Sequence, residues 1–146
     1  MKRAWTGALA AASMALAGCT GSSAPTPPTI DSPTGSPAGP PNLVLYVSNQ
    51  SFADDPVGIR VEIDDRVVVN DSFAVENQHN WIKYELTVPA GSHTIRATSV
   101  TGATASHELD LPTGQNRWAV FDYWYYPRDT PRSLTFRVED HAIGFD

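Results

Sequence analysis

Four histidines, His79, His93, His107 and His141, are the side chains here best suited to metal ligation or proton transfer. Their spacing argues against both. No HxH or HExxH pair occurs, so no two imidazoles are set side by side on one strand or helix face. The register expected for the segments around His93 and His107 places His107 opposite Ala97, four residues along from His93. That is roughly 13 Å at about 3.3 Å per residue, whereas zinc holds ligand nitrogens at about 2.0–2.1 Å. No metal site is expected, and His107 is expected to pack over Ala97. Nucleophilic hydrolysis has no Gly-x-Ser-x-Gly elbow to start from. A convergent triad would be recognised by geometry rather than by order. Asp54-Asp55-Pro56, with Asp64, Asp65 and Asp71 further on, could offer oxygens to calcium, but the spacing matches no EF-hand loop. Paired aspartates beside a proline also initiate turns and cap unpaired main chain. No catalytic residue, metal ligand or cofactor is expected.

The segment Arg117-Trp118-Ala119-Val120-Phe121-Asp122-Tyr123-Trp124-Tyr125-Tyr126 has different chemistry to offer. Read as a strand, it points Ala119, Phe121, Tyr123 and Tyr125 one way and Trp118, Asp122, Trp124 and Tyr126 the other. The first set is assigned to the core, because an unpaired Asp122 carboxylate would be costly there. Trp118, Asp122, Trp124 and Tyr126 then form the candidate ligand-binding residues, since exposed rings beside a carboxylate suit a sugar or a protein partner. Trp81 also falls outward by the alternation of its own segment. Alternatively, a loop or the segment Asp140–Asp146 covers the rings, since Ile143 and Phe145 in that segment need burial themselves.

The elements that must position these residues read as β throughout. From Asn42 onward, short apolar segments recur about every eight to twelve residues between Gly, Pro, Asp and Asn, and no sustained helical period appears. Strands are expected near Leu43–Ser48, Val57–Ile63, Val67–Asp71, Trp81–Val88, His93–Val100, Ala105–Leu111, Arg117–Tyr126 and Ser133–Glu139. A hairpin through Pro89–Ser92 would pair Leu86 with Ile95 and Tyr84 with Ala97. The next turn would pair Ile95 with Leu109 and Ala97 with His107, giving a three-strand meander. For the hairpin at Asp64-Asp65, a three-residue loop pairing Ile63 with Val67 and Val61 with Val69 is preferred to a two-residue turn, which would set Arg66 opposite Ile63. The fold class is all-β, an antiparallel two-sheet sandwich of seven to eight strands over residues 42–146. Val61-Glu62-Ile63-Asp64 and Pro89-Ala90-Gly91-Ser92-His93-Thr94-Ile95 resemble phrases in small immunoglobulin-like and transthyretin-like modules of exported bacterial proteins. That resemblance implies the fold class and no ligand.

The N-terminus has a separate purpose. Lys2 and Arg3 precede the apolar run Ala8–Ala17, which is shorter than the roughly 20 residues of a membrane-spanning helix. Leu16-Ala17-Gly18-Cys19 closes it and resembles the lipobox of bacterial lipoproteins. The resemblance implies that residues 1–18 are a signal peptide removed at Gly18–Cys19 and that Cys19, the only cysteine, carries the lipid. Thr20 in place of Asp after it implies permissiveness for outer-membrane sorting, should the organism have two membranes. Residues 19–41, rich in Pro, Gly, Ser and Thr, have Ile30 as their one large apolar side chain and read as a disordered tether.

Without Lys2 and Arg3 the chain keeps 8 basic residues against 16 acidic ones, a net charge of −8, which disfavours nucleic acid as a partner. The expectation is a non-enzymatic binding or accessory module outside the cytoplasm, held on the membrane through Cys19 and serving an envelope protein. The alternatives are a carbohydrate-binding module using an exposed aromatic patch and a structural envelope protein.

Overall fold

Eight segments with an apolar side chain at every second position can hide those side chains by forming two sheets packed face to face. The computed structural model describes residues 39–76 and 80–145 and has this form. Residues 1–38, on which the expected signal peptide, Cys19 and most of the expected tether fall, lie outside the described residues, as does His79. The strands are β1 (Leu43–Asn49), β2 (Val57–Ile63), β3 (Arg66–Phe73), β4 (Trp81–Leu86), β5 (Gly91–Ser99), β6 (Thr104–Leu111), β7 (Arg117–Tyr126) and β8 (Thr130–Glu139). One four-stranded sheet, sheet A, has the order β4-β1-β7-β8; the other, sheet B, has the order β3-β2-β5-β6. All pairs are antiparallel except β1–β7, which is parallel.

The core lies between the sheets and follows the alternation. Leu43, Leu45 and Val47 of β1 meet Val57, Ile59, Val61 and Ile63 of β2, with Ile95, Leu109, Phe121 and Tyr123 completing the layer, all buried. Each such side chain contributes roughly 1.5–3 kcal/mol by leaving water. Ala119, Phe121 and Tyr123 point inward, and half-buried Tyr125 packs against the same cluster.

The pairing of β4 departs from the expected meander. β4 runs beside β1, with Leu86 opposite Leu43 and Tyr84 opposite Leu45. The chain from Thr87 to Ala90 therefore crosses between the sheets instead of closing a hairpin. Alternation fixes which face of a strand is inward, but strands of either sheet satisfy it equally. What selects β1 is Asn42, whose main-chain N–H donates to Leu86 O. Its side chain donates to Val88 O and accepts from Val88 N, at 2.8 and 2.9 Å. The β5–β6 register also differs: Ile95 faces His107, His93 faces Leu109, and Ala97 faces Ala105. His107 therefore does not pack over Ala97. It lies on the outer strand of sheet B and stacks on Phe136 of β8, centroids 4.8 Å apart, helping to close that flank of the sandwich.

The β2–β3 hairpin combines the two expected forms. A two-residue Asp64-Asp65 turn sets Arg66 opposite Ile63, and a bulge beyond Glu62–Val67 restores Val61 to Val69. The bulge keeps both valines on the core face. Asp64 and Asp65 both have positive φ, 48° and 62°, the conformation that lets a two-residue turn match strand twist.

The strand directions give the sandwich two poles. One, the loop pole, carries the β1–β2, β3–β4, β5–β6 and β7–β8 connections. The opposite, entry pole carries the other three connections and the incoming chain, where Thr87 Oγ1 donates to Gly39 O at 3.1 Å. Replacing Asp65 by glycine removes the side-chain penalty of the left-handed region, which is about 1–2 kcal/mol for an ordinary residue and smaller for Asp. Asp65→Gly is expected to raise the urea midpoint by the equivalent of about 0.5–1 kcal/mol at an unchanged slope. An unchanged or lower midpoint would mean that this turn carries no strain.

Candidate functional site

The loop pole is built on a run of buried polar residues. Ser48, Asn49, Gln50 and Ser51 are all buried, so each must find partners inside the protein. Asn49 Nδ2 donates to Asp54 O at 2.8 Å and to Phe73 O at 3.1 Å, and its Oδ1 accepts from Ser51 N. Ser51 Oγ donates to Tyr125 O at 2.7 Å and accepts from the main-chain N–H groups of Ala53 and Asp54. Gln50 N donates to Tyr123 O, and Gln50 O accepts from Tyr126 Oη. Every residue flanking Phe52 is thus fixed, while Phe52 itself is 60% exposed.

A second network ties this loop to the next. Asp54 accepts Tyr123 Oη–H at 2.5 Å and two bonds from the Arg132 guanidinium, 2.8 and 3.1 Å. The Arg132 bonds hold the Asp54 carboxyl below its usual range, with Tyr123 adding to the effect against a burial penalty. Because the ionised carboxylate only accepts, Tyr123 must donate to it. Thr101 therefore donates to Tyr123, and Ser99 to Thr101. Burial first, and then the bond to Asp54, push the Tyr123 phenol up. Arg132 also lies over the Tyr125 ring, 4.1 Å from its centroid. The β5–β6 turn held in this way presents Val100, 81% exposed. The Asp54-Asp55 pair thus acts as an internal clamp: Asp55 Oδ1 accepts from Val75 N at 2.9 Å, and Asp54 is engaged by Tyr123 and Arg132.

The outer face of sheet A carries the four sequence-derived candidates. Trp118, Asp122, Trp124 and Tyr126 are all half-buried, and they do not form one patch. Trp118 and Trp124 are six residues apart on one strand, roughly 20 Å. Asp122 Oδ1 accepts from Ser48 Oγ at 2.6 Å and from the Trp81 indole at 2.9 Å. Trp124 and Tyr126 are neighbours, with centroids 6.3 Å apart, and Trp124 Nε1 donates to Thr135 Oγ1 at 3.3 Å. Phe145 stacks on Trp81 at 4.2 Å and meets Tyr46 edge-on at 4.9 Å, so the C-terminal segment covers the middle of the face. The sequence analysis did not single out Phe52, Val100, Tyr46 or Arg132. An isolated aromatic in an otherwise small and polar loop was the available signal for Phe52. The partners of Arg132 are distant in sequence and left none.

A third feature lies on the flank bounded by the outer strands β3 and β4, near the entry pole. It is a cleft of about 370 Å³ whose lining includes Val67, Val68, Leu86, Val88, Asp64 and His93. The His93 side chain is 10% exposed and ion-paired to Asp64. Its Nδ1 meets Asp64 Oδ2 at 2.6 Å and its Nε2 meets Pro89 O at 2.8 Å. Both partners are acceptors, so both ring nitrogens are called on to donate, which favours the imidazolium. Burial pulls the His93 pKa down, but the bonds to Asp64 and Pro89 outweigh it and the net shift is upward from 6.5. The same bond holds Asp64 below 3.8. His93 is therefore a clasp between the β2–β3 turn and the β4–β5 crossover. Among the described residues no cluster of His, Cys, Asp and Glu could hold a metal ion.

No protein-family model, curated protein or solved structure matches this chain.

The clasp predicts a pH dependence. The raised His93 pKa gives stability that is complete below pH 6.5 and lost as pH rises through the folded value. The lowered Asp64 pKa gives stability that is complete above pH 3.8 and lost as pH falls through its folded value. The wild-type urea midpoint is expected to decline from pH 6.5 upward, and that of His93→Gln to decline less over the same range, the exposed His141–Asp140 pair retaining its own smaller share. Parallel curves for the two proteins would remove the clasp.

Proposed function

We propose that this chain is an extracytoplasmic lipoprotein, held on a membrane through lipidated Cys19, whose β-sandwich is a non-enzymatic binding module for an envelope protein. The loop pole is its binding surface. One observation carries this reading: Phe52 and Val100, large apolar side chains left 60% and 81% exposed, stand on hydrogen-bonded loops at the pole opposite the incoming chain. Because the incoming chain joins the domain at the entry pole, the loop pole is the end farthest from the point of attachment and is left free for a partner. Loops ordered before binding lose little freedom on association, and exposed apolar anchors are the groups that dominate interface energies. The ionisable groups support a binding role over catalysis. His93 is committed through both ring nitrogens, and Asp54 is spent on Tyr123 and Arg132.

A carbohydrate-binding role is the second reading. It is favoured by the half-buried Trp124–Tyr126 pair, beside a recess of about 230 Å³ lined by Tyr125, Tyr126, Arg128, Asp129, Thr130 and Pro131.

Photocrosslinking from position 52 of the membrane-anchored chain is expected to yield a discrete adduct with an envelope protein, and the same probe at Val67 none. The Phe52→Ser, Val100→Ser double variant is expected to lose at least about tenfold in affinity for that protein, with its β-sheet circular dichroism unchanged. Loss of glycan binding on Trp124→Ala, with no adduct from position 52, would transfer the function to the second reading. Cys19→Ser is expected to release the protein from the membrane fraction, and normal retention would refute the anchor.

A further inference from the structure

Beyond β8 the chain turns back across the outer face of sheet A, and Phe145 lies in a receptacle formed by all four strands of that sheet. The Trp81 ring of β4 stacks against it at an interplanar angle of 19°. The Tyr46 ring of β1 meets it edge-on at 72°. The Arg137 guanidinium of β8 lies 5.8 Å from its centroid. Val120 is the cross-strand neighbour of both Tyr46 and Arg137, so a ring that touches both lies over it. This accounts for an otherwise odd fact: Val120 points away from the core, belongs to no part of the core cluster, and is 1% exposed.

We propose that this receptacle is a binding site for an aromatic side chain carried on an extended segment of a partner protein, and that Phe145 occupies it in the free molecule. The site is distinct from the exposed Phe52 and Val100 of the loop pole. Three observations carry the inference. First, the receptacle is built without the occupant: Trp81 is fixed by Asp122, Asp122 by Ser48, and Ser48 by Gln50 Nε2 at 2.9 Å, and Ser48 and Gln50 are buried. Lifting the ring leaves the Trp81 plate at its angle. Second, the occupant is lightly held. Among the described residues, no main-chain hydrogen bond joins residues 141–145 to the rest of the chain, His141 bonds only its neighbour Asp140, and a side chain added at Gly144 would meet open space. Third, the uncovered face would show Tyr46, Trp81 and Val120 together, an apolar surface of the kind that marks interaction sites. An aromatic peptide suits it better than a sugar. The Trp81 N–H is already donated inward to Asp122, so its indole offers a ring face and not a donor to hydroxyl groups, the Arg137 guanidinium serves as a cation against a ring, and the group now held there is a phenyl ring.

The test compares the full chain in mild detergent with its Phe145→Ala variant. The probe is a fluorescein-labelled peptide of residues 140–146, followed by fluorescence anisotropy. The variant is expected to bind the peptide saturably and at least tenfold more tightly than wild type, in which Phe145 competes. The same peptide with alanine for its phenylalanine is expected to bind neither. Should Phe145→Ala lose its β-sheet circular dichroism, Phe145→Leu, which keeps an apolar cover without the ring, takes its place with the same order of affinities. Equal binding by wild type and variant overturns the proposal, as does binding of the alanine peptide. Binding of cellohexaose without binding of the peptide also overturns it, in favour of a glycan. A wild-type dimer that dissociates in the variant overturns it too, by assigning the receptacle to the tail of a second copy.

Discussion

Burying four consecutive polar residues, Ser48 to Ser51, is the constraint around which this sandwich is organised. An unpaired buried amide or hydroxyl costs on the order of 1–3 kcal/mol, so the chain around them has little freedom. Asn49 reaches the β3 terminus, Ser51 the β7 main chain, Ser48 the Asp122 carboxylate and Gln50 the β7 backbone. These bonds attach one loop to both sheets, and the rest of the loop pole inherits its order from them. The exposed Phe52 is possible because its neighbours are so thoroughly bonded. Its exposure does not come from a slack loop.

The same run also links the pole to the outer face of sheet A. Ser48 orients Asp122, Asp122 orients Trp81, and Trp81 receives Phe145. A polar contact at the end of β1 thus sets the angle of an aromatic plate on the opposite side of the sheet from the core. The two surfaces differ in kind. The loop pole offers side chains that stand free, and the outer face offers a shaped hollow with a lid. The His93 clasp at the other pole belongs to neither. It ties the β2–β3 turn of sheet B to the crossover from Thr87 to Ala90, which has no strand pairing of its own, beside the cleft near the entry pole.

Most of the fold was legible in the sequence because its cues are local. Alternation located all eight strands, and the bounds of β2 and β7 match those expected. The inward set of β7 followed from keeping one carboxylate, Asp122, out of the core. Pairing was not legible, because it is a relation between strands that look alike. Nothing in Ile82, Tyr84 and Leu86 distinguishes β1 from β5 as a neighbour, and the deciding residue, Asn42, lies at the edge of a segment that reads as tether. The candidate site was legible in part. The aromatic strand advertised itself, and the need to bury Ile143 and Phe145 pointed to the covering tail. Phe52 and Val100 gave little sign, since exposure of a loop residue depends on which partners hold the residues beside it. The buried character of Ser48 to Ser51 was hidden for the same reason: a polar run after an apolar strand reads as a solvated loop.

The parallel pair β1–β7 has a consequence for how the chain acquires its shape. Ser48 and Asp122, partners in that pair, lie 74 residues apart in sequence. Bringing such distant segments together costs loop-closure entropy before any contact rewards it, and topologies of this kind fold slowly. Sheet B can begin from its two short hairpins, β2–β3 and β5–β6. Sheet A has no central pair until β7 is available, and β4 alone beside β1 is a two-stranded ribbon of marginal stability. A chain emerging N-terminus first through a narrow passage therefore stays half-made until nearly its whole length is through, and its collapse into the finished sandwich is timed by the last quarter of the polypeptide.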